Sequence, residues 1–88
     1  MRDHTLLRAF ALADELVVEI YKITKIFPKE EIFGLTSQMR RAAVSVPSNI
    51  AEGCGRSSVK DQTHFCVIAK GSLNELNTQL MIAKNLYF

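Results

Sequence analysis

Apolar residues in this chain recur at steps of three and four over three long stretches, and nowhere in strict alternation. That spacing constrains the fold more than any other feature, because a 3.6-residue period builds helices and a two-residue period builds strands. In the first stretch Leu6, Phe10, Ala13, Val17, Ile20, Thr24 and Phe27 form one seam. Leu7, Leu16 and Ile23 widen it, while Arg8, Asp14, Glu15, Glu19, Lys22 and Lys25 take the other side. Pro28 ends the run, since the residue before a proline avoids the α region. The spacing predicts a first helix over about residues 5–26.

Lys29 to Gly34 reads as a connector with room for one short turn. Leu35, Met39, Ala42, Val46 and Ile50 then form a second row, predicting a helix over about residues 35–53. Pro47 falls inside it, where proline removes a backbone donor and crowds the preceding turn. The row resumes at Ile50, so a kink is expected and not a stop. Gly53-Cys54-Gly55 should end the helix with a left-handed glycine cap. Ser58-Val59-Lys60-Asp61 resembles a capping box with Asp in the usual Glu position. It predicts a third helix over about residues 58–86, with a seam of Phe65, Ala69, Ser72, Leu76, Leu80 and Ala83. From Val59 onward the full charges are Lys60, Asp61, Lys70, Glu75 and Lys84. A helix this poor in charge is expected to be covered on several sides. The reading is all-α: an up-and-down antiparallel helical bundle forming a single domain over residues 1–88.

Composition narrows the class. Of the 88 residues 48% are hydrophobic and 23% charged, too apolar for a disordered chain. It is also more apolar than a three-helix monomer needs, so some surface is expected to be buried against further copies. The net charge of +2 is spread along the chain without a basic tail, which neither demands nor excludes nucleic acid. Cys54 and Cys66 form no CxxC pair and read as reduced thiols. Arg2, Asp3, Arg8 and Asp14 interrupt any signal-peptide core, and no apolar run approaches the roughly 18 residues of a membrane span. A cytoplasmic protein is expected.

No catalytic set can be assembled. His4, His64, Cys54 and Cys66 lack metal-ligand spacing, and no carboxylate pair shares an inward face. Gly53-Cys54-Gly55-Arg56 follows a helix, unlike phosphate-binding glycine loops, which follow a strand. The expectation is a non-enzymatic protein without metal or cofactor. Arg40 and Arg41 point about 100° apart on their helix. They suit either phosphate contact or ion pairing with Glu31, Glu52 or Glu75. Ser45 and Asn49 share a face beside Pro47 and are placed to satisfy a carbonyl that the proline frees. Asn49 and Glu52, with Arg56, form a polar patch and the best candidate binding site.

The stretch FPKEEIFGLTSQMRRAAVSVPSNIAEGCGR, Phe27 to Arg56, closely resembles the four-helix-bundle proteins encoded in intervening sequences of bacterial 23S ribosomal RNA genes. AKGSLNELNTQLMIAKNL, Ala69 to Leu86, resembles their third helix, and the likeness runs from Leu16 to Leu86. It implies an up-and-down four-helix bundle, often a ring-like homopentamer. The family is also similar to the accessory variability protein of diversity-generating retroelements, a basic pentamer associated with nucleic acid and a reverse transcriptase. The family motif maps onto Arg40, Arg41, Ser45, Pro47, Asn49, Glu52, Gly53 and Gly55. Members usually continue into a fourth helix, whereas this sequence ends at Phe88, so the reading expects either a truncated chain or a bundle completed by another chain. Two functions are therefore expected in competition. One is an oligomeric bundle that binds RNA or a ribonucleoprotein, with Arg40, Arg41, Arg56 and Lys70 on phosphate. The other is a scaffolding oligomer that contacts protein partners only.

Overall fold

Thr24 stops the first helix. In the computed structural model, which describes residues 4–88, this buried threonine donates its Oγ1 hydrogen back to the Ile20 carbonyl at 2.7 Å. The amides of Ile26 and Phe27 then reach only three residues back, to Ile23 and Thr24, tightening the chain ahead of Pro28. Helix α1 is thus His4–Thr24, two residues shorter at its end than the apolar spacing suggests. Phe27 still joins the core, carried there by the turn.

One 3₁₀ turn, Lys29–Glu31, leads to α2, Leu35–Cys54. Gly34 supplies no side chain to cap α2. Instead Glu31 Oε1 accepts from the Leu35 amide at 3.1 Å, placing a carboxylate where the helix dipole favours negative charge. A Cβ on Gly34 would stand 2.8 Å from that oxygen, so the carboxylate needs the glycine. The other oxygen of Glu31 accepts from the Tyr87 hydroxyl, and the Tyr87 ring lies 5.3 Å from that of Phe27. Connector and chain end are thereby clasped together.

Helix α2 runs unbroken through Pro47. Its end departs from expectation: Gly55 sits at φ −82°, ψ −6°, and no described glycine has positive φ. The role of glycine here is space, not handedness. Gly53 is buried where α3 crosses, and a Cβ there would meet Phe65 Cβ at 3.1 Å and the Gln62 carbonyl at 3.3 Å. Helix α3, Val59–Tyr87, opens on Ser58, whose hydroxyl accepts from the Asp61 amide at 3.1 Å. At about 1.5 Å per residue, its 29 residues account for the 43 Å long axis of the molecule.

The three helices make an all-α bundle with α2 at its centre. Both α1 and α3 pack on α2, while their own backbones never approach within 8 Å of each other. One core cluster gathers Ile20, Phe27, Leu35, Met39, Ala42, Ala43, Leu76 and Ala83 near the connector. A second, of Ala13, Val46, Ile50 and Ala69, lies towards the α2–α3 turn. The third helix is not covered on several sides, as its low charge suggests: Val67, Leu73, Met81, Ile82 and Leu86 face solvent. Its low charge reflects exposed apolar surface, not enclosure within the chain.

Two predictions follow from these contacts. Gly53→Ala should destabilise by about 1 kcal/mol, since overpacking against a fixed Cβ and a backbone oxygen outweighs the helix-propensity gain. Gly71→Ala, with nothing within 4 Å of the added methyl, should instead stabilise by about 0.5–1 kcal/mol; denaturant melts of the two variants check the opposite signs. The clasp makes a pH prediction. Its hydrogen bonds hold the Glu31 carboxyl below, and the Tyr87 phenol above, their ordinary pKa values, the Tyr87 hydroxyl acting most strongly on Glu31. A lowered carboxyl pKa stabilises above the unfolded-state value and is lost as pH falls through the folded one; the raised phenol pKa stabilises below its unfolded value and is lost as pH rises. Tyr87→Phe should therefore move the Glu31 titration upward, read by NMR of the carboxyl carbon.

Candidate functional site

Arg40 is the first of the basic candidates, and its partners are internal. Its Nε donates to Thr24 Oγ1 at 2.8 Å and its Nη2 reaches the Tyr21 carbonyl at 3.5 Å. The guanidinium carbon stands 4.5 Å over the Tyr21 ring. A cation thus closes the C-terminal end of α1, where carbonyls lack helical partners and the dipole is negative. Neither Glu31, Glu52 nor Glu75 pairs with it. Spacing could not reveal Tyr21 and Thr24 as its partners, because they lie 19 and 16 residues away.

Arg56 does find a predicted partner. Its Nη2 meets Glu52 Oε1 at 2.6 Å, and its guanidinium lies 4.8 Å over the Phe65 ring. The Arg56 carbonyl accepts from Gln62 Nε2 at 2.9 Å, so this residue ties the end of α2 to the start of α3. Asn49 does not join the pair. Its Nδ2 donates to the Ser45 carbonyl at 2.7 Å and to Ser45 Oγ at 2.9 Å. Ser45 Oγ in turn lies 2.8 Å from Ser72 Oγ on α3. The carbonyl that Pro47 frees is that of Ala43, four residues back. Neither Ser45 nor Asn49 donates to it; the two side chains instead fasten α2 to α3 between the two core clusters.

Arg41 and Lys70 are exposed, and among the described residues neither has a hydrogen bond or ion pair. The four basic candidates do not converge: Arg40 lies in the second turn of α2 and Arg56 beyond the far end of that helix, about 21 Å of helix axis from Arg40 to Cys54 alone. Arg41 instead shares a surface hollow with Arg40. Tyr21, Ile32, Thr36, Ser37 and Val44 complete its lining, and its volume is about 610 Å³. No group of three or more His, Cys, Asp or Glu among the described residues is placed to hold a metal ion. No described helix is long and apolar enough to cross a membrane.

Removing Arg40 takes the donor from the buried Thr24 Oγ1 and the cation from the Tyr21 ring, while the Tyr21 carbonyl keeps the Lys25 amide. Arg40→Ala should cost about 1.5–3 kcal/mol, in the range of hydrogen bonds to charged groups. Arg41→Ala should stay within about 0.5 kcal/mol. Thermal melts of the two neighbouring variants separate a structural arginine from a free one.

The chain gives no match among curated proteins. The family described as 23S rRNA-intervening sequence protein matches residues 6–88, a span that contains every contact of the bundle core. The protein belongs to the 23S rRNA-intervening sequence protein family.

Proposed function

We propose that the protein is a non-enzymatic, cytoplasmic scaffold that assembles with further copies of itself through the apolar sides of α1 and α3. The observation that carries this reading is the open arrangement of the bundle. Helices α1 and α3 share α2 without a close backbone approach to each other, and Leu12, Val67, Met81 and Leu86 are each more than half exposed. Exposed apolar side chains on both helices favour association, because removing apolar surface from water contributes about 25 cal/mol per Å². Phosphate contact is the weaker reading. Two of its four cations, Arg40 and Arg56, already hold helix ends together, and the other two stand on different helices.

The test is sedimentation or light scattering over a range of concentrations, together with binding to structured RNA at two salt concentrations. The scaffold reading expects a mass that is a multiple of 9.9 kDa and no RNA binding. A monomer throughout contradicts assembly. Tight RNA binding that falls steeply with salt, the signature of released counterions, replaces scaffolding with the RNA reading.

A further inference from the structure

The hollow at the start of α2 is lined by polar groups that the bundle leaves unused. Its volume of about 610 Å³ falls within the range of sites that hold small ligands, roughly 300–1,000 Å³. Thr36 lines it with only 7% of its surface exposed, and the Thr36 hydroxyl has no hydrogen-bond partner among the described residues. A hydroxyl buried to that degree normally has one. This one is not sealed in: among the described residues Gln79 Oε1 is the one side-chain polar atom that is both sealed and unpartnered. Thr36 keeps its contact with solvent through the hollow that it lines. Ser37 and Tyr21 bring two further hydroxyls without partners.

Charge selects the ligand. Two guanidinium groups line the hollow and no carboxylate does. Arg40 is engaged by Thr24 and Tyr21, whereas Arg41 is exposed and has no hydrogen bond or ion pair among the described residues. Ser37 and Arg41 stand four residues apart, on one face of α2. Thr36 and Ser37 belong to the first turn of α2, where the helix dipole favours an anion. Glu31 offsets part of that field, but it takes only the Leu35 amide and does not line the hollow. Ile32 and Val44 supply the apolar part of the lining and are both exposed.

The geometry points to a binding site for a small phosphate monoester with an apolar or aromatic body. The phosphate meets Arg41 and the hydroxyls of Thr36 and Ser37, and the organic body covers Ile32 and Val44. A phosphate monoester carries about −1.5 to −2 charges near neutral pH and three terminal oxygens. It can therefore take a guanidinium fork and more than one hydroxyl donor at once. A carboxylate, with one charge and two oxygens, uses fewer of these donors. Every group belongs to one copy of the chain, so the site is independent of the assembly proposed above.

The experiment is titration of the full chain with phenyl phosphate, followed by calorimetry and by backbone amide NMR. One ligand should bind per chain, with the largest shifts at Thr36, Ser37 and Arg41. Inorganic phosphate, which leaves Ile32 and Val44 uncovered, and benzoate, which brings a single charge, should each bind at least about fivefold more weakly. Arg41→Ala should weaken phenyl phosphate binding at least about tenfold and Thr36→Val at least about threefold, with circular dichroism establishing that both variants fold. Phenyl phosphate that does not saturate, or whose affinity survives Arg41→Ala, overturns the inference. Benzoate or inorganic phosphate that binds as tightly also overturns it. Structured RNA that displaces phenyl phosphate at far lower concentration gives the hollow to nucleic acid and overturns the small-ligand site. A monomer that binds phenyl phosphate upholds this inference and contradicts the scaffold alone; an oligomer that does not bind it has the reverse meaning.

Discussion

The close backbone approaches between the long helices of this bundle are all made with α2. Two neighbours can reach one helix only if its own side chains leave room, and α2 meets that condition with small residues. Ala42 and Ala43 are buried side by side, and Gly53 lets the Phe65 turn come within van der Waals distance of the α2 backbone. Helix axes separated by 8–10 Å depend on the size of such residues. Pro47 fits the same scheme. It costs α2 a hydrogen bond in mid-helix, yet the helix is held from both sides there, by Val46 in one core and by Ser45 and Asn49 towards Ser72. The polar residues around the proline work as helix fasteners, which leaves little of them for a ligand.

The same economy governs the basic residues. The negative end of a helix dipole attracts a cation, and Arg40 places one at the end of α1 from a position on α2. Its stacking on Tyr21 covers part of a ring that would otherwise face water. Arg56 does the corresponding work at the α2–α3 turn with Glu52 and Phe65. What remains for recognition is surface, not a buried set of reactive groups. Among the described residues the fold leaves apolar side chains of α1 and α3 and the Phe33 ring in water, and Gln79 Oε1 buried without a hydrogen-bond partner.

Periodicity made all three helices legible, and Ser58 made the start of α3 legible, because both are local rules. The errors lie where a distant element decided the outcome. Gly53 and Gly55 read as a left-handed cap, but the space demanded by Phe65 explains Gly53, and nothing within two turns of sequence announces Phe65. Arg40 read as suited either to phosphate or to a glutamate, while its partners within the chain are a hydroxyl and a carbonyl on another helix. The low charge of α3 was compatible with enclosure or with exposed apolar surface; only the geometry of the chain, with α1 and α3 apart, distinguishes them. The pairing of Arg56 with Glu52 was readable because four residues on a helix bring two side chains together. Phe33 gave no signal in the sequence, since an apolar residue in a connector can turn inward or outward with equal ease.

The sharing of α2 also bears on how the chain reaches this state. Each interhelical surface joins elements adjacent in sequence, so two helical hairpins, α1 with α2 and α2 with α3, account for the core. Structures of such low contact order fold quickly, because little loop-closure entropy is lost before contacts form. The exception is at the chain end, where Tyr87 bonds to Glu31 across 56 residues and stacks on Phe27. That clasp can form only after both hairpins are in register. It is thus the natural last step of folding, and the first contact to open when the native bundle begins to fray.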